Sequence, residues 1–260
     1  MSLVKAKKHL GQHFLTDKNI AQKIVNSLQS RYLYNKVLEV GPGMGILSDF
    51  LLQKTEFETY LIDIDTESFL YLQKQYPDLG DKLINADFLA LDFKSVFPAS
   101  FAIIGNFPYN ISSQILFKIL ENYQQVPEVV GMFQKEVAER IVAKPGSKQY
   151  GILSVFLQAY YKCDYLFTVK AGVFNPPPKV LSAVIRLSRN QVQALDCNQK
   201  LFWQVVKAGF NQRRKTLSNA LQSIIAKENQ DEQPVWALRA EQLSIADFVA
   251  LTRTISLTRE

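Results

Sequence analysis

One short segment of this sequence carries groups suited to chemistry on an aromatic amine. Residues Gly105-Asn-Phe-Pro-Tyr-Asn110 follow directly after an apolar run. The exocyclic amine of a nucleobase is a poor nucleophile, because its lone pair is delocalised into the ring. The side-chain oxygen of Asn106 and the backbone carbonyl of Phe107, held open by Pro108, can accept its two N–H groups and favour a tetrahedral nitrogen. The segment therefore predicts methyl transfer to a base, with Tyr109 stacked on the ring.

A second segment, Leu38-Glu-Val-Gly-Pro-Gly-Met-Gly45, has glycine at three alternate positions where an apolar run gives way to helical spacing. Such a turn lets the backbone approach a ligand closely. A dinucleotide fingerprint would place glycine at position 46, which is Ile46 here, and no Gly-Lys-Ser/Thr sequence for a nucleoside triphosphate occurs. Gly41 and Gly43 therefore favour a cofactor without phosphates. The alternative is a tight strand-to-helix turn that binds nothing.

Aspartates follow the next two apolar runs. Asp63 ends the second run, where a carboxylate can accept hydrogen bonds from both hydroxyls of a ribose. Asp87 ends the third run, where it can accept from an adenine amino group while Phe88 covers the ring. Each of them, like Asp65, is equally suited to be a helix N-cap. Because the carboxyl ends of parallel strands share one edge of a sheet, their repetition favours a nucleoside-containing cofactor.

The elements that must position these residues are short apolar runs alternating with stretches of helical spacing, a pattern typical of a parallel α/β sheet. The last two runs, Tyr165–Val169 and Val180–Leu187, have no helix between them and should form a hairpin. The segment Phe174-Asn-Pro-Pro-Pro-Lys179, the proline loop, should be rigid and extended. We expect a Rossmann-like, seven-stranded sheet, whose five earlier strands are Val37–Val40, Tyr60–Ile64, Leu83–Ala86, Phe101–Ile104 and Val129–Phe133.

The end of the chain has a different pattern. The sequence turns polar from Ser188 to Gln199, and only helical spacing follows, in Leu201–Ala226 and Val235–Ile255. We therefore expect two domains, residues 1–188 with the sheet and residues 189–260 as a small helical domain.

Composition excludes several classes of protein. Of the 260 residues, 47% are hydrophobic and 21% charged, which is typical of a globular chain and not of a disordered or collagen-like one. No apolar run approaches the roughly 18 residues of a membrane helix, and the N-terminus does not resemble a signal peptide. We expect a cytoplasmic monomer. Two cysteines and two histidines fit neither a disulfide framework nor a zinc site, so we expect no metal.

The net charge suggests a polyanionic partner. There are 30 basic and 24 acidic residues, a net charge of +6. The basic side chains concentrate in two clusters, and we expect the second to bind RNA together with the basic N-terminal segment, with a solvated helix face as the alternative. The clusters are Lys5, Lys7, Lys8 and Lys18, and Arg213, Arg214 and Lys215.

These segments resemble those of the ribosomal RNA adenine N6-dimethyltransferases, and within that family the branch acting on the bacterial small subunit. The likeness covers nearly the whole chain. It is carried by His9-Leu-Gly-Gln-His-Phe-Leu15, Glu39–Gly45, Asn85–Phe88, Gly105–Ser112, Gln134-Lys-Glu-Val-Ala-Glu-Arg140, Phe174–Ser182 and Phe210-Asn-Gln-Arg-Arg-Lys-Thr-Leu-Ser-Asn-Ala220.

The resemblance implies a class I methyltransferase fold, S-adenosylmethionine as the methyl donor, and dimethylation of two adjacent adenosines. These adenosines lie in the 3′-terminal hairpin loop of 16S rRNA, in the immature small subunit. Phe174 would stack on the second face of the target base. By position, the resemblance implies a cofactor site of His13, Leu15, Gly41, Gly43, Asp63, Asp87 and Asn106 and a catalytic site of Asn106, Phe107, Pro108, Tyr109 and Phe174.

The chain departs from this family at three positions. Where the family more often has asparagine, leucine and glutamate, this chain has His13, Phe107 and Asp63. Asp63 keeps its acceptor oxygens and Phe107 still contributes a backbone carbonyl, so we expect both to function. His13 would contact the cofactor through its backbone or through a neutral ring nitrogen.

Three other functions share part of this pattern. A relative that methylates one adenine of large-subunit rRNA is disfavoured by the basic segment Gln212–Lys215. A DNA adenine methyltransferase usually carries a larger target-recognition region than the helical residues at the end of this chain. A non-catalytic assembly factor would not need the glycine turn or the Asn106–Tyr109 segment, and binding of S-adenosylmethionine distinguishes it.

Overall fold

The computed structural model of the chain describes residues 4–29, 32–230 and 232–258, in which strands and helices alternate. The strands are β1 (Phe14–Leu15), β2 (Lys36–Val40), β3 (Glu58–Asp63), β4 (Leu83–Asn85), β5 (Ala102–Asn106), β6 (Glu128–Gln134), β7 (Tyr161–Val169), β8 (Phe174–Asn175) and β9 (Ser182–Arg189). The helices are α1 (Lys18–Val25), α2 (Ser48–Leu51), α3 (Thr66–Gln75), α4 (Phe93–Val96), α5 (Ser112–Glu121), α6 (Lys135–Val142), α7 (Ile152–Tyr160), α8 (Gln199–Asn211), α9 (Leu217–Ala220) and α10 (Ile245–Leu257).

Seven strands form the main sheet, in the order β4-β3-β2-β5-β6-β9-β7. The pairs β3–β4, β2–β3, β2–β5 and β5–β6 are parallel, and β9 is antiparallel to β6. The predicted seven-stranded α/β sheet is confirmed, and its last two strands are neighbours. The central strands β5 and β6 are buried along almost their whole length, which explains their continuous apolar runs.

The parallel pairing brings the candidate functional residues to one edge. Asp63 is the last residue of β3 and pairs with Asn85 of β4, and Asn106 is the last residue of β5. β2 lies between these strands and ends at Val40, directly before the glycine turn. The register therefore places the turn, both strand-end residues and the start of the Asn85–Phe88 segment side by side, as expected for the carboxyl edge of a parallel sheet.

A second, two-stranded sheet joins distant parts of the chain. In this antiparallel pair Leu15 of β1 lies opposite Phe174 of β8. The backbone N–H of Thr16 also donates to the carbonyl of Val173, at 2.8 Å. The proline loop is thus held to the N-terminal segment, residues 4–16, a pairing that sequence periodicity did not predict.

The chain divides into two compact units. One contains the residues up to Ala138 together with Lys162–Arg189, and the other contains Glu139–Tyr161 together with the residues from Asn190 onward. The second unit thus includes α7, which the expected division 1–188 and 189–260 assigned to the first domain. That division remains a prediction about domains that fold independently.

The two stretches of helical spacing in the second unit are not single helices. In the first, α8 ends at Asn211, and only the four-residue α9 follows. In the second, short 3₁₀ turns at Pro234–Ala237 and Ala240–Gln242 precede α10. α10 begins where Ser244 and Asp247 form a reciprocal capping box, which satisfies N–H groups at the start of the helix.

No helix in the described ranges is long and apolar enough to cross a lipid bilayer.

In the core beneath the Gly105–Asn110 segment, the rings of Phe107 and Phe133 lie close to the backbone of Gly131 in β6. A Cβ atom there would contact the ring of Phe107 and lie 2.6 Å from Cε2 of Phe133. We predict that Gly131→Ala lowers the free energy of unfolding by about 1–3 kcal/mol through overpacking. Urea denaturation measures this change.

Gly172→Ala is the matched control, since no heavy atom lies within 4 Å of the added Cβ. We expect its free energy of unfolding to stay within about 0.5 kcal/mol of the unchanged protein. Equal stability of the two variants would show that the Phe107 ring has room to move.

Candidate active site

A cavity of about 190 Å³ opens at the carboxyl edge of the sheet. Nine of the predicted site residues line it, whereas Leu15 and Phe174 do not. The nine are His13, Gly41, Gly43, Asp63, Asp87, Asn106, Phe107, Pro108 and Tyr109.

The glycine turn forms one wall of this cavity. Gly41 and Gly43 have φ values of 68° and 58°, in the left-handed region that favours glycine. A Cβ atom on Gly43 would also lie 2.8 Å from the ring of Phe14. The turn therefore presents backbone to the cavity, with Phe14 packed against it.

Asp63 connects this turn to the next strand. Its Oδ2 accepts from the backbone N–H of Gly43 at 3.2 Å, and its Oδ1 accepts from that of Asp65 at 2.9 Å. Burial raises the pKa of Asp63, and these two hydrogen bonds oppose the shift. Each carboxylate oxygen has a second lone pair, so Asp63 can hold the turn and still accept from a ligand.

Asp87 also has two roles available. Its Oδ1 accepts from the backbone N–H of Leu89 at 2.8 Å, so it caps the turn that follows β4. It nevertheless lines the cavity beside Phe88, whose ring packs against Phe93 with centroids 5.4 Å apart. The capping alternative considered from the sequence is therefore compatible with a role in binding.

The Asn106 amide has a defined orientation. Its Nδ2 donates to the backbone carbonyl of His13 at 2.8 Å. Because a carbonyl only accepts hydrogen bonds, the amide nitrogen must face His13, which leaves Oδ1 as the acceptor for a ligand. The next residue, Phe107, has its ring buried against Phe133, with centroids 5.1 Å apart. The Phe107 side chain therefore packs in the core and anchors the Asn106–Tyr109 segment.

Tyr109 is held at both ends of its side chain. Its hydroxyl forms a hydrogen bond with Oγ of Ser182, and its ring stacks on that of His13, with centroids 5.5 Å apart and planes 29° apart. Burial raises the pKa of Tyr109, so the hydroxyl stays protonated at neutral pH.

The N-terminal segment covers this edge of the sheet through polar contacts. Lys7 forms an ion pair with Asp65, and Gln12 Nε2 donates to the second oxygen of the same carboxylate at 3.0 Å. Although burial opposes the shift, these bonds hold the pKa of Asp65 below its usual range. Asn110 Nδ2 donates to the carbonyl of His9 at 3.3 Å.

Leu15 and Phe174 occupy the core instead of the cavity wall. Only 3% and 4% of their respective surfaces are exposed, since both belong to a cluster of buried hydrophobic residues. The ring of Phe174 is thus buried and does not line the cavity, and its stacking on a target base stays a prediction. The family resemblance implied a Phe174 side chain that contacts the base, whereas here Phe174 pairs with Leu15 in the two-stranded sheet and its side chain is buried.

The predicted RNA-binding residues lie outside the cavity, in the second unit. They follow the end of α8 and lie in a turn, although the stretch Leu201–Ala226 was expected to be helical. Arg213 Nε contacts Glu241 Oε2 at 2.5 Å, and its Nη2 donates to the carbonyl of Ser147 at 3.2 Å. Arg214 and Lys215 are exposed.

Three residues of this region were not assigned a role from the sequence. Phe14 and Gln12 line the cavity, next to predicted residues. Glu39, before the glycine turn, accepts from Ser48 Oγ at 2.6 Å, and burial raises the pKa of its carboxyl to about 8. A charged residue inside the apolar run Val37–Val40 was the available signal for Glu39.

The donor set fits a nucleoside cofactor without phosphates. Two carboxylates, Asp63 and Asp87, line the cavity, and within the described part of the chain no Lys or Arg does. Phosphates are normally bound by basic side chains or helix N-termini, whereas ribose hydroxyls and a cationic group suit carboxylates. The described residues also contain no group of three or more His, Cys, Asp and Glu side chains arranged to hold a metal ion.

Comparisons with known proteins identify the family of the chain. A protein from Cytophaga hutchinsonii named ribosomal RNA small subunit methyltransferase A is 57% identical over 98% of this chain and 99% of its own length. One of the same name from Flavobacterium johnsoniae is 54% identical over 98% and 97%. The crystal structure of a dimethyladenosine transferase from Plasmodium falciparum has a TM-score of 0.78 and 25% identity, covering 95% of this chain and 98% of that one.

Residues 3–255 match the family described as ribosomal RNA adenine dimethylase. The match includes the sheet, the cavity and the second unit. The chain therefore belongs to the ribosomal RNA adenine dimethylase family.

Proposed function

We propose that this chain transfers methyl groups from S-adenosylmethionine to N6 of two adjacent adenosines in the 3′-terminal hairpin loop of 16S rRNA. The observation that carries the proposal is the Asn106 amide, whose nitrogen is bound to His13 so that its oxygen is the free acceptor at the cavity. The name of the similar proteins, ribosomal RNA small subunit methyltransferase A, supports the choice of subunit. The immature small subunit is the proposed substrate, and the enzyme acts as a cytoplasmic monomer.

The cofactor is held by the carboxyl edge of the sheet. Asp63 accepts from its ribose, Asp87 from its adenine amino group, and the backbone of Gly41 and Gly43 lies against its methionine part. The backbone of His13 contributes from the N-terminal segment, whereas Leu15 supports that segment from the core. When bound, S-adenosylmethionine supplies an electrophilic methyl group carried on a positively charged sulfur.

The target amine is activated by two acceptors. Asn106 Oδ1 and the Phe107 carbonyl accept its N–H groups, which favours a tetrahedral nitrogen whose lone pair is available for attack. Positive charge develops on this nitrogen during transfer, and the face of the Tyr109 ring stabilises it. The methylated nitrogen then loses a proton to water, so no carboxylate base is required. Pro108 fixes its own backbone φ, which restricts the orientation of the peptide group that carries the Phe107 carbonyl.

RNA binding involves exposed basic residues of the turn after α8. Arg214 and Lys215 are exposed, and in the described part of the chain neither makes an ion pair. Arg213 is different, because Glu241 and Ser147 already engage its guanidinium. We therefore assign phosphate contacts to Arg214 and Lys215, with Arg213 holding the turn that presents them.

The first prediction concerns the chemical step. Asn106→Ala removes one preorganised acceptor, which typically lowers the rate by about 10²- to 10³-fold. Single-turnover transfer of a labelled methyl group to pre-bound, unmethylated small subunits measures this rate. Asn122→Ala is the control, since Asn122 lies at the end of α5, where its side chain donates to the Lys118 carbonyl. A rate for Asn106→Ala within about threefold of the control would contradict the assigned role.

The second prediction concerns cofactor affinity. Asp63→Asn and Asp87→Ala should each weaken S-adenosylmethionine binding by about 10- to 100-fold, because a charge-assisted hydrogen bond is lost. The asparagine at position 63 keeps an oxygen for the Gly43 or Asp65 N–H, which limits damage to the turn. Calorimetry measures the affinity, and Asp81→Ala, at an exposed site, is the control.

The affinity should also depend on pH. Burial raises the pKa of Asp63, and only the ionised carboxylate accepts from both ribose hydroxyls. Binding should therefore weaken as the pH falls through this pKa, at a higher pH than for an ordinary aspartate. Asp63→Asn should remove this dependence, and an unchanged pH profile in the variant would contradict the assignment.

The third prediction concerns RNA docking. If Arg214 and Lys215 each neutralise one phosphate, the double alanine variant should flatten the slope of log K against log salt by about 1.4 to 1.8. Removal of two exposed lysines elsewhere, Lys74→Ala with Lys200→Ala, is the charge-matched control. Equal slopes for the two double variants would show that Arg214 and Lys215 face solvent in the complex.

A further inference from the structure

The side chain of His13 lies where three functional segments meet. Its Nδ1 is 2.8 Å from the carbonyl oxygen of Pro176 in the proline loop. Its ring stacks on Tyr109, and its own carbonyl accepts from Asn106. One residue thus contacts the proline loop and both functional side chains of the 105–110 loop.

The hydrogen bond to Pro176 defines the state of the imidazole. A carbonyl oxygen has no proton to donate, so Nδ1 of His13 must carry the hydrogen. In the neutral ring, Nε2 is then unprotonated. The bond fixes the plane of the ring, and this plane sets the surface against which Tyr109 stacks.

Tyr109 and His13 together bracket one stretch of chain. His13 binds the carbonyl of Pro176, and Tyr109 binds the hydroxyl of Ser182, where β9 begins. The two stacked rings therefore hold both ends of the segment between Pro176 and Ser182. Loss of either bond would free one ring to turn relative to the other.

The backbone and the side chain of His13 perform different tasks. The backbone carbonyl is engaged by Asn106, and substitution of the side chain leaves that carbonyl in place. The imidazole is directed toward Tyr109 and the proline loop. The described contacts of the imidazole are therefore with Tyr109, which is proposed to stack on the target base, and with the proline loop.

We infer that the His13 side chain is a positioning residue for the target adenine. It holds Tyr109 and the proline loop at a fixed separation, so that the base finds a preformed aromatic surface next to Asn106 Oδ1. This inference rests on the proposed function. It assigns to His13 a role in base positioning that is separate from cofactor binding.

Three substitutions separate the contributions of the imidazole. His13→Ala removes both the hydrogen bond and the stack. His13→Asn keeps an N–H donor for the Pro176 carbonyl without a ring, and His13→Phe keeps a ring without a donor. The matched control is His9→Ala, because His9 is the other histidine of the chain, lies in the same segment and has an exposed side chain.

The substitutions are expected to lower kcat/KM for methyl transfer without changing the affinity for the cofactor. His13→Ala should lower kcat/KM for unmethylated small subunits about tenfold, and the other two variants by about threefold each, as one hydrogen bond or one ring contact is lost. S-adenosylmethionine affinity should stay within about twofold of the unchanged protein, because no cofactor contact is removed. Urea denaturation checks that each variant is folded.

Two kinetic results would overturn the inference. One is a kcat/KM for His13→Ala equal to that of His9→Ala. The other is a loss of cofactor affinity as large as the loss of kcat/KM, which would place the imidazole in the cofactor site. If the unchanged protein transfers no methyl groups to small subunits, the proposed function fails instead, and the result is distinguishable from both.

A spectroscopic test does not depend on activity. The chain has two histidines, so the NMR spectrum of ¹⁵N-labelled protein contains two sets of imidazole signals. The set that is absent from His9→Ala belongs to His9, and the other to His13. The structure predicts a hydrogen on Nδ1 of His13, lost from the spectrum in His13→Phe. A neutral ring with its hydrogen on Nε2 would contradict the Pro176 bond and with it the inference.

Discussion

The hydrogen bond from the Asn106 side chain to the His13 carbonyl is the contact on which the site depends. A free asparagine amide can present either its oxygen or its nitrogen to a ligand. The His13 carbonyl, which only accepts, selects one orientation and leaves the oxygen facing the cavity. The target amine needs an acceptor at that point, so a backbone atom some ninety positions earlier in the chain determines the chemistry of the loop.

Charge at the carboxyl edge serves both folding and binding. Asp63 holds the glycine turn through Gly43, and Asp65 anchors the N-terminal segment through Lys7 and Gln12. Burial acts to raise the pKa of both carboxyls. At Asp63 it outweighs the hydrogen bonds, whereas at Asp65 the hydrogen bonds and the Lys7 cation together outweigh it. Among the described residues, no cation forms an ion pair with Asp63, which leaves its oxygens available to a ligand.

The sequence predicted those features that local pattern determines. The parallel α/β sheet follows from alternating runs and helices, and parallel strands bring Asp63 and Asn106 to one edge whatever the details of packing. Nothing local indicates that Leu15 pairs with Phe174, because that pairing joins residues distant in sequence. Phe174 was consequently expected at the base and is found in the core. The break after Asn211 was also missed, because helical spacing continues across a turn that tertiary contacts of Arg213 stabilise.

The N-terminal segment contacts both the strand end that carries Asp63 and the Asn106–Tyr109 segment. Its early residues bind Asp65, next to Asp63, and its later residues contact Asn106, Tyr109 and the proline loop. The His13 carbonyl of this segment orients the Asn106 amide, and Lys7 and Gln12 attach the segment to Asp65, so that it forms the wall of the cavity beside Asp63. Any displacement of the segment would disturb both at once. In the proposed mechanism, binding of the cofactor against this wall therefore favours the arrangement in which the acceptors for the target amine are already aligned.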